Sequence, residues 1–253
     1  MRKPKEQNPY PSSSRTDEYT FENFIVGSSN KFAHAAAVAV ASFDAKEAYN
    51  PLLIYGDSGL GKTHLIYAIN HYYGEKFPQL KTIIIKGDDY ANELVSAIKS
   101  GELHGYREKY QTADVLLIDD VHFLEGKTAT QEEFLNTISA LHELGKRIVI
   151  VSGKPPAKIP RLEDWLKRRF ESGLIVDIQP PDDALRVAII KEKAGRLGIA
   201  LPDDAVDYIA KNLHSNISQL EGAVKTLKAK QDSKDETITV DFAKKHLMHL
   251  IKH

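Results

Sequence analysis

The chain has 253 residues, room for one large domain or two modest ones, and its 42% hydrophobic and 27% charged residues suit a soluble globular fold. Its 34 Lys and Arg against 35 Asp and Glu leave a formal net charge of −1, without the basic surplus of a strong nucleic-acid binder, although a local basic patch stays open. There is no cysteine, which excludes disulfides, thiol catalysis and Cys-based zinc sites, and neither a membrane span nor a signal-peptide core is visible, so a cytoplasmic protein is expected.

Residues 1–18 are polar, with Pro4, Pro9, Pro11 and Ser12-Ser13-Ser14, and read as a disordered lead or the end of a linker. Tyr19-Thr20-Phe21-Glu22-Asn23-Phe24-Ile25-Val26-Gly27 opens the folded part. Its aromatics and aliphatics either pack into a core or close over a base. Ser28-Ser29-Asn30 reads as the cap of an alanine-rich helix reaching about Ser42.

Leu52–Tyr55 reads as a strand, and Gly56-Asp57-Ser58-Gly59-Leu60-Gly61-Lys62-Thr63 follows it. This is G-x-x-x-x-G-K-[ST] between a strand and a helix, the setting that marks a phosphate-cradling loop. Its glycines let the backbone curl around phosphate oxygens, and the next helix adds its positive end. Lys62 can reach the β- and γ-phosphates, and Thr63 offers a hydroxyl to Mg²⁺. Leu65, Ile66, Ile69, Tyr72 and Tyr73 recur at helical spacing.

Thr82–Ile85 is a short buried strand, and 89–99 and 102–110 read as helices separated by Ser100-Gly101. Asp114-Val115-Leu116-Leu117-Ile118-Asp119-Asp120 is an apolar run ending in two acids. Such a strand delivers carboxylates to its C-terminal end, where open α/β sheets bind ligands. Asp119 is then the Mg²⁺ ligand beside Thr63, and Asp120 orients or polarises the attacking water. Taken alone, the acid pair also fits a turn or a helix cap.

Thr130-Gln131-Glu132-Glu133 reads as a capping box opening a helix to about Leu144. Arg147–Val151 is a strand, Leu162–Phe170 a short basic helix, and Leu174–Ile178 a fifth strand. After Gln179-Pro180-Pro181-Asp182 only helices follow, at 183–197, 203–213, 216–230 and 239–251. The expected architecture is α/β, with a five-stranded parallel sheet over residues 19–180 and a small all-helical domain over 181–253.

Several of these stretches, in order, resemble the DnaA family of bacterial replication initiators. They include Tyr19–Gly27, Tyr49-Asn50-Pro51-Leu52, Gly59–His64, Leu116–Asp120, Gln131–Phe134, Arg169-Phe170, Gly173-Leu174, Gln179–Asp182 and Leu220-Glu221-Gly222-Ala223, spread over about residues 19–251. The resemblance implies an AAA+ ATPase core with sheet order 5-1-4-3-2 and a helical lid. It implies ATP or ADP with Mg²⁺ as ligands, slow hydrolysis, and ATP-dependent self-assembly on origin DNA. Gly56, Ser58, Gly59, Gly61, Lys62, Thr63 and His64 then bind nucleotide, with Asn30 in the adenine pocket. Arg169 matches the family's arginine finger, which reaches the neighbouring subunit's γ-phosphate; Lys167-Arg168-Arg169 also reads as a plain surface basic helix.

Three positions depart from the family pattern. The first sensor's Ser-Asp-Arg-Pro is here Ser152-Gly153-Lys154-Pro155, without the carboxylate. The second sensor's arginine is replaced by Ser218 in Asn216-Ile217-Ser218-Gln219-Leu220. The family's Lys-Glu-Arg, whose arginine it uses on single-stranded DNA, is here Lys127-Thr128-Ala129, without the arginine, while Val95 matches the other DNA-contacting position. The chain stops at His253, before the family's helix-turn-helix domain.

The leading expectation is the ATPase core of a replication initiator, working as a nucleotide switch for assembly, with weak hydrolysis and weak contact to single-stranded DNA. The alternatives are a stand-alone regulator that binds the full-length initiator, and a helicase-loading or transposition helper ATPase that meets the replicative helicase.

Overall fold

The computed structural model describes residues 18–42, 49–214, 216–234 and 236–251. The expected lead at 1–18 lies outside these residues except for Glu18. The chain divides into two compact units, one of residues 34–55 and 63–176 with the N-terminal segment to Phe24, the other of residues 25–33, 56–62 and 177–253.

The first unit is built on strands β1 (Leu52–Tyr55), β2 (Thr82–Lys86), β3 (Val115–Asp119), β4 (Arg147–Ser152) and β5 (Leu174–Asp177). They form one parallel sheet in the order β2-β3-β4-β1-β5. Continuous aliphatic runs such as Val115–Ile118 fit a parallel sheet because both faces are buried. The register aligns Ile85, Ile118, Ile150 and Leu53 across four strands. That row packs into a core with residues of α3 (Gly87–Ser100), α4 (Leu103–Gln111), α5 (Thr128–Glu143) and α6 (Asp164–Glu171). Helices α1 (Lys31–Ala41) and α2 (Lys62–Lys76) begin in the second unit and continue into the first.

The centre of this core is aromatic. Tyr90 meets Tyr106, Tyr110 and Phe134 at ring separations of 4.9–5.4 Å, mostly edge to face, an arrangement that ring quadrupoles favour. Its phenol lies 3.0 Å from Thr137 Oγ1, and burial pushes its pKa up to about 12, so it stays neutral. Helices α4 and α5 are also joined by a two-pronged ion pair, Arg107 to Glu133 at 2.7 and 2.8 Å.

Helix α5 starts at Thr128, two residues before the expected capping box, and Lys127 occupies the cap without a side-chain bond. Gln131 and Glu133 are committed elsewhere. Gln131 is fully buried; its amide donates to Leu124 O (2.8 Å) and Arg161 O (3.0 Å) and accepts from Glu163 N–H (2.8 Å). One side chain thus satisfies backbone groups of two separate loops. Gln131→Ala leaves those groups unpaired, and chemical denaturation should show a loss of about 2–4 kcal/mol with no change of fold by circular dichroism.

The second unit contains helices α7 (Asp183–Arg196), α8 (Asp203–Asn212), α9 (Ile217–Lys234) and α10 (Val240–Ile251). Ile189, Ile190, Val206, Ile209, Leu220, Val224, Leu227 and Leu247 form its core. Asp182 caps α7 by accepting from Leu185 N–H at 2.8 Å. Arg186 is buried and spends its guanidinium on Ala210 O (2.7 Å), Pro181 O (2.6 Å) and the Asp183 carboxylate. Glu221, in the Leu220-Glu221-Gly222 stretch, pairs with Lys193 on α7 at 2.5 Å.

Candidate nucleotide site

The loop from Gly56 to Lys62 has a backbone that only its glycines allow. Gly56, Gly59 and Gly61 have φ of +153°, +77° and +101°. Main chain of this shape turns N–H groups to one side and forms an anion-binding nest. A Cβ on Gly56 would meet Ile178 O at 2.5 Å, and one on Gly59 would meet Ser218 Oγ at 2.9 Å. Lys62 Nζ donates to Gly56 O (2.7 Å) and Asp57 O (2.8 Å), so its charge stays on the loop. Lys62 also begins α2, whose N-terminus favours an anion.

The same unit brings the second-sensor position to this loop. Ile217 N–H donates to Gly59 O at 3.0 Å, and Asn216 Oδ1 caps α9 by accepting from Gln219 N–H at 2.9 Å. Ser218 therefore sits in the first turn of α9 against the loop, with an uncharged side chain. Lys228, further along α9, is paired with Asp232 at 2.8 Å.

In the first unit, Thr63 Oγ1 donates to the Asp119 carboxylate at 3.2 Å. A hydroxyl and a carboxylate this close make a hard oxygen donor set of the kind Mg²⁺ takes. Among the described residues no group of three or more His, Cys, Asp or Glu could hold a metal ion, so a magnesium ion at Thr63 and Asp119 would need phosphate and water oxygens as well. Tyr67, one turn beyond Thr63, has its phenol pKa raised by burial and then by the Asp119 charge.

Asp120 takes φ +72°, a left-handed conformation that aspartate tolerates better than most residues. Its Oδ1 accepts from His122 N–H at 3.1 Å and lies 2.9 Å from His122 Nδ1. The Asp120 carbonyl passes so near Gly87 that a Cβ there would lie 1.9 Å from it. Sequence reading passes over both Gly87 and His122. Their only sequence signal is position, Gly87 directly after β2 at the start of α3 and His122 two residues beyond Asp120.

Asn30 and Ser28 differ from expectation. Asn30 is buried, but its side chain serves its own loop, accepting from Gly27 N–H (2.8 Å) and donating to Ile25 O (3.0 Å). Ser28 is drawn away from a capping role and donates to Asp182 at 2.5 Å. The 19–24 segment is held by histidines of α2: His64 Nε2 lies 2.7 Å from Thr20 O, and His71 Nδ1 lies 3.0 Å from Tyr19 O. The His64 ring also stacks on Tyr19 at 4.8 Å. His34 stacks on Phe24 at 5.5 Å, and burial lowers its pKa.

Arg169 is half-buried on α6, whereas Arg168 is exposed. Its Nε is buried without a hydrogen-bond partner. Burial lowers its pKa, and the Glu143 charge opposes that shift. Ser152 is buried in the first-sensor loop and bonds the backbone of Lys154, leaving Gly153 exposed with open space around its Cβ position.

The sheet order, the glycine loop after β1, the acids at the end of β3 and the helical C-terminal unit define an AAA+ P-loop NTPase fold. The family model described as the bacterial DnaA ATPase domain matches residues 16–177. Domain III of the Thermotoga maritima replication initiation protein DnaA is 39% identical, with a TM-score of 0.87 over 93% of this chain and 98% of that one. A replication initiator DnaA bound to AMPPCP and single-stranded DNA is 35% identical, with a TM-score of 0.77 over 86% of this chain and 68% of that one. The Thermotoga maritima RuvB Holliday junction branch migration motor shares only the fold, at 22% identity and a TM-score of 0.65 over 92% of this chain and 72% of that one. The chain belongs to the bacterial DnaA ATPase-domain family. No helix among the described residues is long and apolar enough to cross a membrane.

Gly59→Ala forces a side chain into a left-handed conformation and against Ser218 Oγ. Titration with a fluorescent ATP analogue should show affinity falling by about tenfold or more, while the circular dichroism spectrum is kept.

Proposed function

We propose that this chain is the ATP- and ADP-binding core of a DnaA-like initiator, a nucleotide switch for assembly on DNA that hydrolyses ATP slowly. The observation that carries this reading is the glycine nest of Gly56, Gly59 and Gly61 with the Lys62 amine folded over it. The AMPPCP-bound DnaA structure supports nucleotide as the ligand.

In this reading the loop N–H groups and Lys62 bind the β- and γ-phosphates, and Ser58 lies within the same cradle. Thr63 and Asp119 would hold Mg²⁺, which would supply charge neutralisation at the phosphates. Asp120 orients a water for in-line attack on the γ-phosphorus; the new P–O bond forms as the bond to the oxygen bridging the β- and γ-phosphates breaks, that bond's electrons leave on ADP, and the water's proton ends on the released phosphate. Asn30 and His64 act at one remove, by fixing the Ile25–Asn30 loop and the 19–24 segment. Residues 19–180 would work as the nucleotide domain and 181–253 as its lid.

Weak hydrolysis and weak ATP-versus-ADP discrimination follow from Gly153 and Ser218, which offer no charge at the two sensor positions. A charge-assisted contact to phosphate is worth roughly 1.5–3 kcal/mol, equivalent to an approximately 10- to 150-fold effect. Calorimetry should therefore find similar affinities for ATP and ADP in this chain. Ser218→Arg should raise ATP preference by about tenfold or more, and Gly153→Asp, which meets no steric obstacle, should speed turnover. A strong ATP preference in the unmodified chain would sink this account.

Arg169 is proposed as the finger that reaches the phosphate of a second copy. Its half-buried side chain forms no ion pair or hydrogen bond among the described residues, which leaves the terminal guanidinium nitrogens for another acceptor. Arg169→Ala should leave nucleotide affinity within about twofold of the parent while removing any ATP-dependent oligomer seen by analytical ultracentrifugation. Loss of nucleotide binding by the monomer would show that Arg169 acts within its own subunit.

Contact with single-stranded DNA is proposed to be weak. Val95 is exposed on α3, whose first turn carries Asp88 and Asp89, carboxylates that oppose a phosphate backbone. The altered sensors equally suit a regulator that binds the full-length initiator. They also suit a helper ATPase that meets the replicative helicase.

A further inference from the structure

The short turn after β3 carries His122 between two carboxylates. Its Nδ1 lies 2.9 Å from Asp120 Oδ1, and its Nε2 lies 3.6 Å from Asp88 Oδ2 on α3. The His122 backbone N–H donates to the same Asp120 oxygen at 3.1 Å. Asp120 Oδ1 therefore has two protein donors from one residue. Its second oxygen has no hydrogen-bond donor in the protein among the described residues and is left to accept from water. The main chain beneath is equally restricted, with Asp120 in its left-handed conformation and its carbonyl against Gly87.

We propose that His122 is a positioning residue for ATP hydrolysis: it fixes the Asp120 carboxylate through Oδ1, tied through the same ring to Asp88. The proposal rests on the ATPase reading above. A carboxylate held by one oxygen presents the other in a defined direction, which is what aligning a nucleophilic water requires. The groups facing the ring are Asp120 at the end of β3, Asp88 on α3 and Glu125 beyond the same turn, and all three favour the imidazolium. The hydrogen bond that the ring donates to Asp120 is the largest cause of a raised His122 pKa. Below that pKa the cation bridges both carboxylates. As pH rises through it the charge is lost, and with it the attraction to Asp88.

The test uses the full chain with His122→Ala, His122→Gln and Asp88→Asn, measuring ATP turnover between about pH 6 and 9. The ring is largely exposed, so the fold should survive, and circular dichroism checks this. The expected result is a kcat about tenfold lower in His122→Ala with KM for ATP within about twofold. His122→Gln, which keeps a donor for Asp120, should recover most of kcat. The parent's kcat should fall on the alkaline side of the His122 titration, a limb that His122→Gln lacks and Asp88→Asn moves to lower pH. If the parent turns over ATP and His122→Ala matches it in kcat and pH profile, the positioning role is wrong while the ATPase reading stands. If the parent hydrolyses no ATP, the ATPase reading fails and takes this proposal with it.

Discussion

A loop that offers several N–H groups to one anion must take backbone angles that side chains resist, and that constraint governs the second unit. Gly56 and Gly59 have left-handed angles and also lie against other main chain or side chains, Ile178 O in one case and Asn216 with Ser218 in the other. Because Gly59 has no Cβ, the first turn of α9 can approach until Ile217 N–H bonds its carbonyl. The glycine therefore serves two geometries at once, the curl of the loop and the seating of a helix. The bond is between main-chain groups and does not depend on what residue 218 is. The seating of α9 on the loop is thus independent of the charge carried at that position.

The first unit solves a different problem. Its parallel strands bury both faces, so polar chemistry is confined to their ends, where Asp119 and Asp120 emerge. Loops at those ends carry backbone groups that the core would leave unpaired, and single side chains satisfy them. Gln131 holds two loops, and Asn50 does similar service by donating to Lys146 O at 2.7 Å and accepting from Ile148 N–H at 2.9 Å. The close approach of Gly87 to Asp120 and the His122 ring then connect the end of β3 to the start of α3.

The sheet, the phosphate loop and the terminal acids were legible because each is written in consecutive residues. Val115–Ile118 is apolar throughout, and the loop glycines fall at fixed spacings. The same holds for the turn from alternating elements to helices after Gln179. What was hidden depends on partners distant in the chain. Glu133 looked like half of a capping box until Arg107, 26 residues earlier, claimed it. Ser28 looked like a cap until Asp182, 154 residues later, accepted its hydroxyl. Asn30 could not be told from a ligand contact by its position alone, because its two bonds go to its own loop. His122 escaped notice because its role needs Asp88 from another element.

The histidines that hold the 19–24 segment bond to carbonyls, at Thr20 and Tyr19. A carbonyl can only accept, so the bonding nitrogen of each ring must carry its proton. These two hydrogen bonds therefore make no demand on the side chain of Thr20, while Tyr19 adds a ring stacked on His64. A substitution at Thr20 would leave both bonds available, an independence the rings would lack if they gripped a side chain instead.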